Sequence, residues 1–144
     1  MSNDPRVRLL GLRDTPLSVD EALAAVADPG AGGIAVFLGT VRDDDEGRAV
    51  TELGYSAHPT AEERMRQVVV RAADAHDLIA VAALHRVGDL GIGEIAVVVA
   101  AAAAHRAEAL AGCRQLIDDI KAEVPLWKHQ RFADGAQEWV GLDS

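Results

Sequence analysis

The segment Lys121-Ala122-Glu123-Val124-Pro125-Leu126-Trp127-Lys128 closes a long amphipathic pattern and opens an extended one. Pro125 cannot continue a helix, and the residue before a proline is driven toward extended geometry. We therefore expect Lys121 in the last helical turn and Lys128 just beyond the break, where both ammonium groups could reach one anionic ligand. Taken alone, the segment also fits a structural interpretation, in which Lys121 offsets the helix dipole and Lys128 is a solvated strand residue.

Three helices are predicted along the chain. Ser18 and Glu21 have the spacing of a capping box, which predicts a helix over about 19–27. Thr60 and Glu63 repeat that spacing after Pro59 and predict a second helix. The third is expected from His105 to about Glu123, because apolar residues recur there at helical spacing. Its predicted core stripe consists of Leu110, Cys113, Ile117, Ile120 and Val124.

Short apolar or β-branched runs predict strands between and after these helices. The predicted strands are 7–12, 34–41, 50–55, 78–87, 94–101, 126–132 and 137–140. The glycine-rich run 88–93 is expected to join two of them as a hairpin. Gly30, Gly32 and Gly33 predict a flexible connection, and the acidic run 43–47 predicts a solvated loop. Because hairpins are mixed with helices, we expect an α+β fold with a mixed, mainly antiparallel sheet in one domain over residues 1–144.

The composition restricts the function. The net charge of −9 over 144 residues argues against a broad nucleic-acid or anionic-membrane surface, so any anion site must be local. The single cysteine, Cys113, excludes an internal disulfide and fits a reducing cytosol. The longest apolar run, 95–104, is shorter than the roughly 20 residues that span a bilayer. The first residues lack the pattern of a signal peptide. We expect a cytoplasmic protein.

Basic residues at element ends are the candidates for chemistry. A helix N-terminus favours anions, whereas a cation there opposes the dipole, so Arg106 is a modest indication of function. Alternatively, Arg106 and its neighbour reach into solvent or pair with acids such as Glu108. The candidate clusters are Arg42 at a strand end, His105 with Arg106 at a helix start, and Lys121 with Lys128.

Distance limits how these clusters combine. Sixteen positions separate His105 from Lys121, which is about 24 Å along one helix. They cannot hold the same small phosphate within one chain. Either the ligand is long, or the helix start of one subunit meets the helix end of another. A two-fold dimer with two composite sites satisfies the second condition.

Other common chemistries find no support. The histidines lack metal-ligand spacing, and the chain has neither a nucleophile-elbow serine nor a Walker sequence. We therefore expect no metal or cofactor. Lysine is the plausible catalytic group, because a lysine with a lowered pKa can act as a base or an amine nucleophile.

Over about Gly33 to Val140 the chain resembles the large, catalytic subunit of molybdopterin synthase. The motifs that carry this resemblance occur in order: Phe37-Leu38-Gly39-Thr40-Val41-Arg42, His85-Arg86-Val87-Gly88, Ala104-His105-Arg106-Ala107, and Asp118 to Lys121 followed by Val124-Pro125-Leu126-Trp127-Lys128. The chain departs from the usual family pattern at Ser56, His58, Ala104, His129 and Gln130.

The resemblance implies an α/β hammerhead-type fold and a central homodimer that binds a small ubiquitin-like sulfur carrier at each end, giving a heterotetramer. The carrier's C-terminal Gly-Gly thiocarboxylate would supply sulfur to cyclic pyranopterin monophosphate and form the dithiolene of molybdopterin. By resemblance, Lys121 is the leading catalytic residue and Lys128 supports it. The implied substrate-binding residues are Thr40, Val41, Arg42, His105, Arg106, Lys121, Lys128, His129 and Gln130. The alternative is a non-catalytic anion-binding or carrier-docking dimer of the same fold.

Overall fold

The computed structural model describes residues 3–141. Its helices are α1 (Val19–Val26), α2 (Ala61–His76) and α3 (Arg106–Glu123). Its strands are β1 (Val7–Arg13), β2 (Gly33–Thr40), β3 (Asp44–Asp45), β4 (Arg48–Ala57), β5 (Ala80–Arg86), β6 (Gly88–Leu90), β7 (Ile95–Ala103), β8 (Leu126–Phe132) and β9 (Gln137–Val140).

The strands form two sheets. The first has the order β1-β5-β7-β2, and the second has the order β3-β4-β8-β9, with β6 also pairing with β4. Only the β1–β5 pair is parallel among the described strands. The predicted α+β fold, with about three helices and mainly antiparallel pairing, is confirmed.

The two faces of the first sheet carry separate cores. Because side chains alternate along a strand, Val81 and Ala83 of β5 pack in the cluster under α2 and α3, whereas Ala82 and Leu84 pack in the cluster under α1. His85 follows Ala83 on the α3 side. A smaller cluster of Val41, Leu53, Leu90 and Ala96 joins the second sheet to the first.

The buried face of α3 differs in part from the predicted stripe. Cys113, Ile117, Ile120 and Val124 are buried as predicted, but Leu110 is 62% exposed, so that part of the prediction was wrong. The residues that face the sheet instead are small at this end of the helix, Ala109 and Gly112 among them. A hydrophobicity pattern gives such small residues little weight, although they permit close packing.

The two predicted capping boxes have different outcomes. The Ser18 hydroxyl accepts a hydrogen bond from the Glu21 backbone N–H at 3.1 Å, as predicted. Thr60 makes no side-chain capping bond in the described structure. Its backbone N–H instead donates to Nδ1 of His58 at 3.1 Å, and its hydroxyl lies 2.9 Å from the same nitrogen. The Thr60 hydroxyl is therefore engaged by the His58 ring and not by the N–H groups in the first turn of α2.

Both predicted loops are more ordered than expected. Gly32 donates its N–H to the Ala103 carbonyl at 2.9 Å, and a Cβ at Gly32 would lie 2.2 Å from the Ala104 carbonyl oxygen. This close approach makes the glycine segment a tight junction rather than a flexible connection. Within the acidic run, β3 pairs with β4, and Asp45 accepts a hydrogen bond from the Gln130 side chain. In the described part of the chain, none of the helices is both long and apolar enough to cross a membrane.

Candidate functional site

A pocket of about 290 Å³ opens where the end of α3 meets both sheets. Part of its lining is apolar and comes from β2, β7 and α3. The rest is polar and includes two lysines, a tyrosine and a histidine. The lining residues are Phe37, Leu38, Gly39, Thr40, Tyr55, His85, Ala96, Val97, Ile117, Ile120, Lys121, Val124, Leu126, Lys128 and Gly141.

The end of α3 brings the two lysines into this pocket. Val124 has extended geometry, with ψ at 122°, and its N–H still bonds to the Ile120 carbonyl. Pro125 then leads directly into β8. Lys121 therefore lies in the last helical turn and Lys128 on the following strand, as predicted from the proline break.

Lys128 lies among charged groups of both signs. Its pKa is lowered, first by burial and then by the positive charge of Lys121. Arg42 also lowers this pKa, whereas the carboxylates of Asp45 and Glu138 raise it. The positive charges of Lys121 and Arg42 thus both oppose the charged form of Lys128. A negatively charged ligand would relieve their mutual repulsion.

His85, which is buried, and Tyr55, which is half-buried, belong to the polar part of the lining. Their rings meet edge to face, with centroids 4.8 Å apart and planes at 77°. Burial lowers the pKa of His85 to about 4, and it raises the pKa of the Tyr55 hydroxyl. Both side chains are therefore uncharged near neutral pH.

Neither residue of this pair was predicted as a site residue from the sequence. His85 was considered only for metal spacing and as part of a family motif. The alternation of side chains along β5 could have identified His85, because it places His85 on the same face of the sheet as the core residues Val81 and Ala83. A histidine at the end of that row meets the end of α3.

The predicted site residues at and just after the end of β2 lie in different surroundings. Thr40 lines the pocket. Val41 is 4% exposed and packs in the cluster that joins the two sheets. Arg42 is exposed, and it lies close enough to Lys128 to lower the pKa of that residue.

His105 and Arg106 lie at the opposite end of α3, outside the pocket. His105 is the N-cap residue, with extended φ and ψ of −131° and 155°, and both side chains are exposed. The start of β2 lies against them, since a Cβ at Gly33 would be 3.1 Å from the Arg106 Cα. Within one chain, His105 and Arg106 are therefore separated from Lys121 by most of the length of α3, as predicted.

His129 and Gln130 do not line the pocket. His129 stacks on Trp139, with ring centroids 4.3 Å apart, and its Nε2 lies 2.9 Å from the Gln137 side-chain oxygen. Gln130 is buried and donates to the Asp45 carboxylate at 3.1 Å.

The pocket suits an anion rather than a metal ion. Within residues 3–141, no three or more His, Cys, Asp and Glu side chains are grouped so that they could hold a metal. The polar part of the lining offers ammonium and hydroxyl donors, and the apolar part offers a surface for a flat or hydrophobic group. Such a site can bind a negatively charged organic molecule and stabilise negative charge that develops on it.

Comparison with known proteins gives consistent matches. The sequence profile of the MoaE protein family matches residues 12–123. Molybdopterin synthase catalytic subunit 1 of Mycobacterium tuberculosis (strain ATCC 25618 / H37Rv) is 48% identical over 131 residues, which cover 90% of this chain and 88% of that protein.

Solved structures share the fold. Molybdopterin synthase from Staphylococcus aureus superposes with a TM-score of 0.86 at 28% identity, covering 92% of this chain and 96% of that one. A complex of subunits 1 and 2 of the molybdopterin-converting factor from Helicobacter pylori 26695 contains a chain that superposes with a TM-score of 0.70 at 20% identity. The match covers 93% of this chain and 89% of that one. At that identity the second likeness concerns the fold alone.

Proposed function

Because this chain belongs to the MoaE protein family, whose relatives are molybdopterin synthase catalytic subunits, we propose that it is the catalytic subunit of a molybdopterin synthase. It transfers sulfur from the C-terminal thiocarboxylate of a small ubiquitin-like carrier to cyclic pyranopterin monophosphate and forms the dithiolene of molybdopterin. The observation that carries this function is the convergence of Lys121 and Lys128 at a partly apolar pocket, with Arg42 close enough to Lys128 to lower its pKa. Its lone cysteine fits a cytoplasmic setting.

Each cation has a role in this reaction. Lys121, which lines the pocket, assists attack on the substrate and exchange of the thiocarboxylate sulfur. Lys128 has a lowered pKa, so its ammonium gives up a proton more readily than an ordinary lysine. Lys128 and Arg42 stabilise the negative charge that develops as the carbon–sulfur bond of the carrier breaks.

The partner is a small sulfur-carrier subunit that inserts its C-terminus into the pocket. A thiocarboxylate is anionic, and an extended tail ending in glycines is narrow enough for a pocket of about 290 Å³. The Helicobacter pylori complex contains two different subunits of the converting factor, which agrees with a two-component enzyme. Two catalytic subunits and two carriers would give a heterotetramer.

A homodimer completes the substrate site. β2 is an edge strand of the first sheet, and Ile34, Val36 and Leu38 on one of its faces are 37–45% exposed. An exposed apolar edge strand readily pairs with another strand. Antiparallel pairing of two β2 edges would continue the sheet across a two-fold axis and bring these side chains of the two copies into contact on one face.

This pairing brings the separated basic clusters together. β2 begins beside Arg106 and ends with Thr40 at the pocket. When two copies run antiparallel, the start of each β2 lies next to the end of the other. His105 and Arg106 of the partner subunit would then face the pocket that contains Lys121, and they would hold the substrate phosphate.

A single-turnover assay tests the function. The native chain, mixed with thiocarboxylated carrier and cyclic pyranopterin monophosphate, should form the dithiolene. Lys121→Ala should lower the rate by roughly 10²- to 10⁴-fold, the range for loss of a positioned catalytic group. Arg114→Ala is the matched control, because it removes an exposed cation from the same helix. If a folded, carrier-bound native chain forms no product, a non-catalytic docking module is the better interpretation.

A further inference from the structure

Arg86, the last residue of β5, is a buried cation whose hydrogen bonding is incomplete. It is 8% exposed, and its Nη1 donates to the Glu94 carboxylate at 3.1 Å. The Nε of the same guanidinium is buried and meets no hydrogen-bond acceptor within residues 3–141. A buried charge with an unused donor costs stability, and apolar residues of similar volume often replace a buried ion pair without loss. Folding alone therefore gives little reason for an arginine at this position.

The Arg86 side chain lies on the face of the first sheet that is turned away from the pocket. Side chains alternate along β5, so Arg86 follows Leu84, which packs in the cluster under α1. His85, the residue between them, lines the pocket on the other face, whereas Arg86 does not line it. Any effect of the guanidinium on the pocket must therefore pass through another residue.

Glu94 connects Arg86 to the backbone that follows β2. One oxygen of its carboxylate pairs with Arg86, and the other accepts the Gly91 N–H at 2.5 Å. The backbone carbonyl of Glu94 accepts the Val41 N–H at 3.0 Å, and the Gly93 N–H donates to the Val41 carbonyl at 2.8 Å. The ion pair thus fixes the loop of residues 91–94, and the backbone of this loop holds Val41 through both of its polar groups.

Val41 lies between two predicted residues of the site. Thr40 lines the pocket, and Arg42 lies close enough to Lys128 to lower its pKa. The pairing of β2 with β7 is irregular here, because the register shifts between Gly39 and Thr40. Regular strand pairing therefore does not extend to this segment, and the two bonds from the loop hold it in its place.

We propose that Arg86 is a positioning residue, which acts through Glu94 and the loop of residues 91–94 to hold Val41. The position of Val41 in turn determines where Thr40 and Arg42 stand at the pocket. The guanidinium itself does not touch the substrate. The effect on the reaction rests on the sulfur-transfer function proposed above, whereas the effect on the loop does not.

Amide hydrogen exchange tests the link to the loop without turnover. Arg86→Met removes the charge and keeps an unbranched side chain, and we expect the amides of Val41 and Gly93 to exchange about tenfold faster, or more, because the loop opens locally. Arg13→Met is the matched control. Arg13 lies beside Arg86 in the β1–β5 register and pairs with Glu21, so the same face of the sheet loses an ion pair away from the loop. Unchanged exchange of both amides in folded Arg86→Met would overturn the proposal.

A second variant tests the same contact from the exposed side. The Glu94 side chain is 41% exposed, so Glu94→Gln weakens the pair without changing a buried residue. Faster exchange of the same two amides is expected, and the double variant Arg86→Met/Glu94→Gln should exchange no faster than Arg86→Met alone. Additive effects of the two substitutions would show that they act independently and would contradict the link.

Steady-state kinetics test the consequence for the reaction. In Arg86→Met we expect KM for cyclic pyranopterin monophosphate to rise roughly tenfold, with little change in KM for the carrier. Arg86→Lys keeps a cation for Glu94 and should recover most of the difference, whereas Arg13→Met should behave as the native chain. A loss of folded protein alone would lower kcat and leave both KM values unchanged, and that result would overturn the positioning role. If the native chain forms no product while the exchange results are as expected, the proposed function is wrong and the link to the loop stands.

Discussion

Lys128 lies directly opposite Tyr55 in the β4–β8 pair, so both side chains leave the second sheet on the face toward the pocket. Cross-strand neighbours in an antiparallel pair are close enough to share one environment. The lysine is therefore placed beside a half-buried aromatic ring and near a second ammonium, which is costly for a charged group.

Replacing Lys128 with methionine should separate stability from activity. Because the pKa of Lys128 is lowered in the folded state, its charged form costs stability below that pKa, and this cost disappears as pH rises toward the unfolded value. We expect Lys128→Met to raise the free energy of unfolding at pH 7 by a few tenths of a kcal/mol after solvent screening, while product formation falls at least tenfold. Urea unfolding at pH 7 and 10 measures the first effect. A clearly less stable variant would contradict the unfavourable burial of this charge.

The composite site predicts rescue between two inactive variants. In a mixed dimer of Lys121→Ala and Arg106→Ala, one site receives a native Lys121 from one subunit and a native Arg106 from the other. If half the dimers are mixed, activity should recover to about a quarter of the native value. Coexpression with two affinity tags and the single-turnover assay measure it. Mixing two preparations of Lys121→Ala is the control, and a rescue absent from purified mixed dimers would place both residues in one subunit's site.

The apolar edge predicts a dimer that one charge can break. Val36→Lys places an ammonium in the middle of the β2 edge and should give monomers in sedimentation velocity at micromolar concentration. Ile92→Lys adds the same charge at another exposed apolar position, 44% exposed, and should remain dimeric. If both variants stay dimeric, β2 does not form the interface.

The neutral state of His85 predicts acid sensitivity. Its folded pKa of about 4 lies below the usual 6.5, so the unfolded chain binds a proton first as pH falls. Stability contributed by the neutral ring is complete above about pH 6.5 and is lost on acidification to about pH 4, by at most roughly 3 kcal/mol. Denaturant unfolding of the native chain and His85→Gln at pH 7, 5.5 and 4.5 isolates this term from the carboxylates. Parallel pH dependence of the two proteins would exclude His85 as its source.

Local patterns predicted most of the elements. The proline after Val124, the Ser18 cap and the alternating strands each act over a few residues, and the sequence contains all of that information. Leu110 was assigned wrongly because burial depends on which face of α3 meets the sheet. Small residues such as Gly112, which packs against Leu78, decide that face. Thr60 failed as a cap because His58 supplies a competing nitrogen.

The site could be predicted only in part. Lys121 and Lys128 are close in sequence, so the proline break was enough to place them together. His85 and Tyr55 reach the pocket through the pairing of strands that are distant in sequence. The register of that pairing cannot be predicted from any short stretch of the chain. Arg42 was recognisable as a cation at a strand end, but its effect on Lys128 depends on how the two sheets meet.

The parallel β1–β5 pair also determines when, during folding, β1 can join its sheet. Val7 pairs with Val81, and every residue of α1, β2, β4 and α2 lies between them in the chain. During synthesis, β1 leaves the ribosome long before the strand that fixes its register. Loop closure over such a distance is slow compared with the local hairpin of β5 and β7. We infer that β1 docks late, after the β5–β7 hairpin has formed, and that a nascent chain stalled before β5 cannot yet hold its own N-terminal strand.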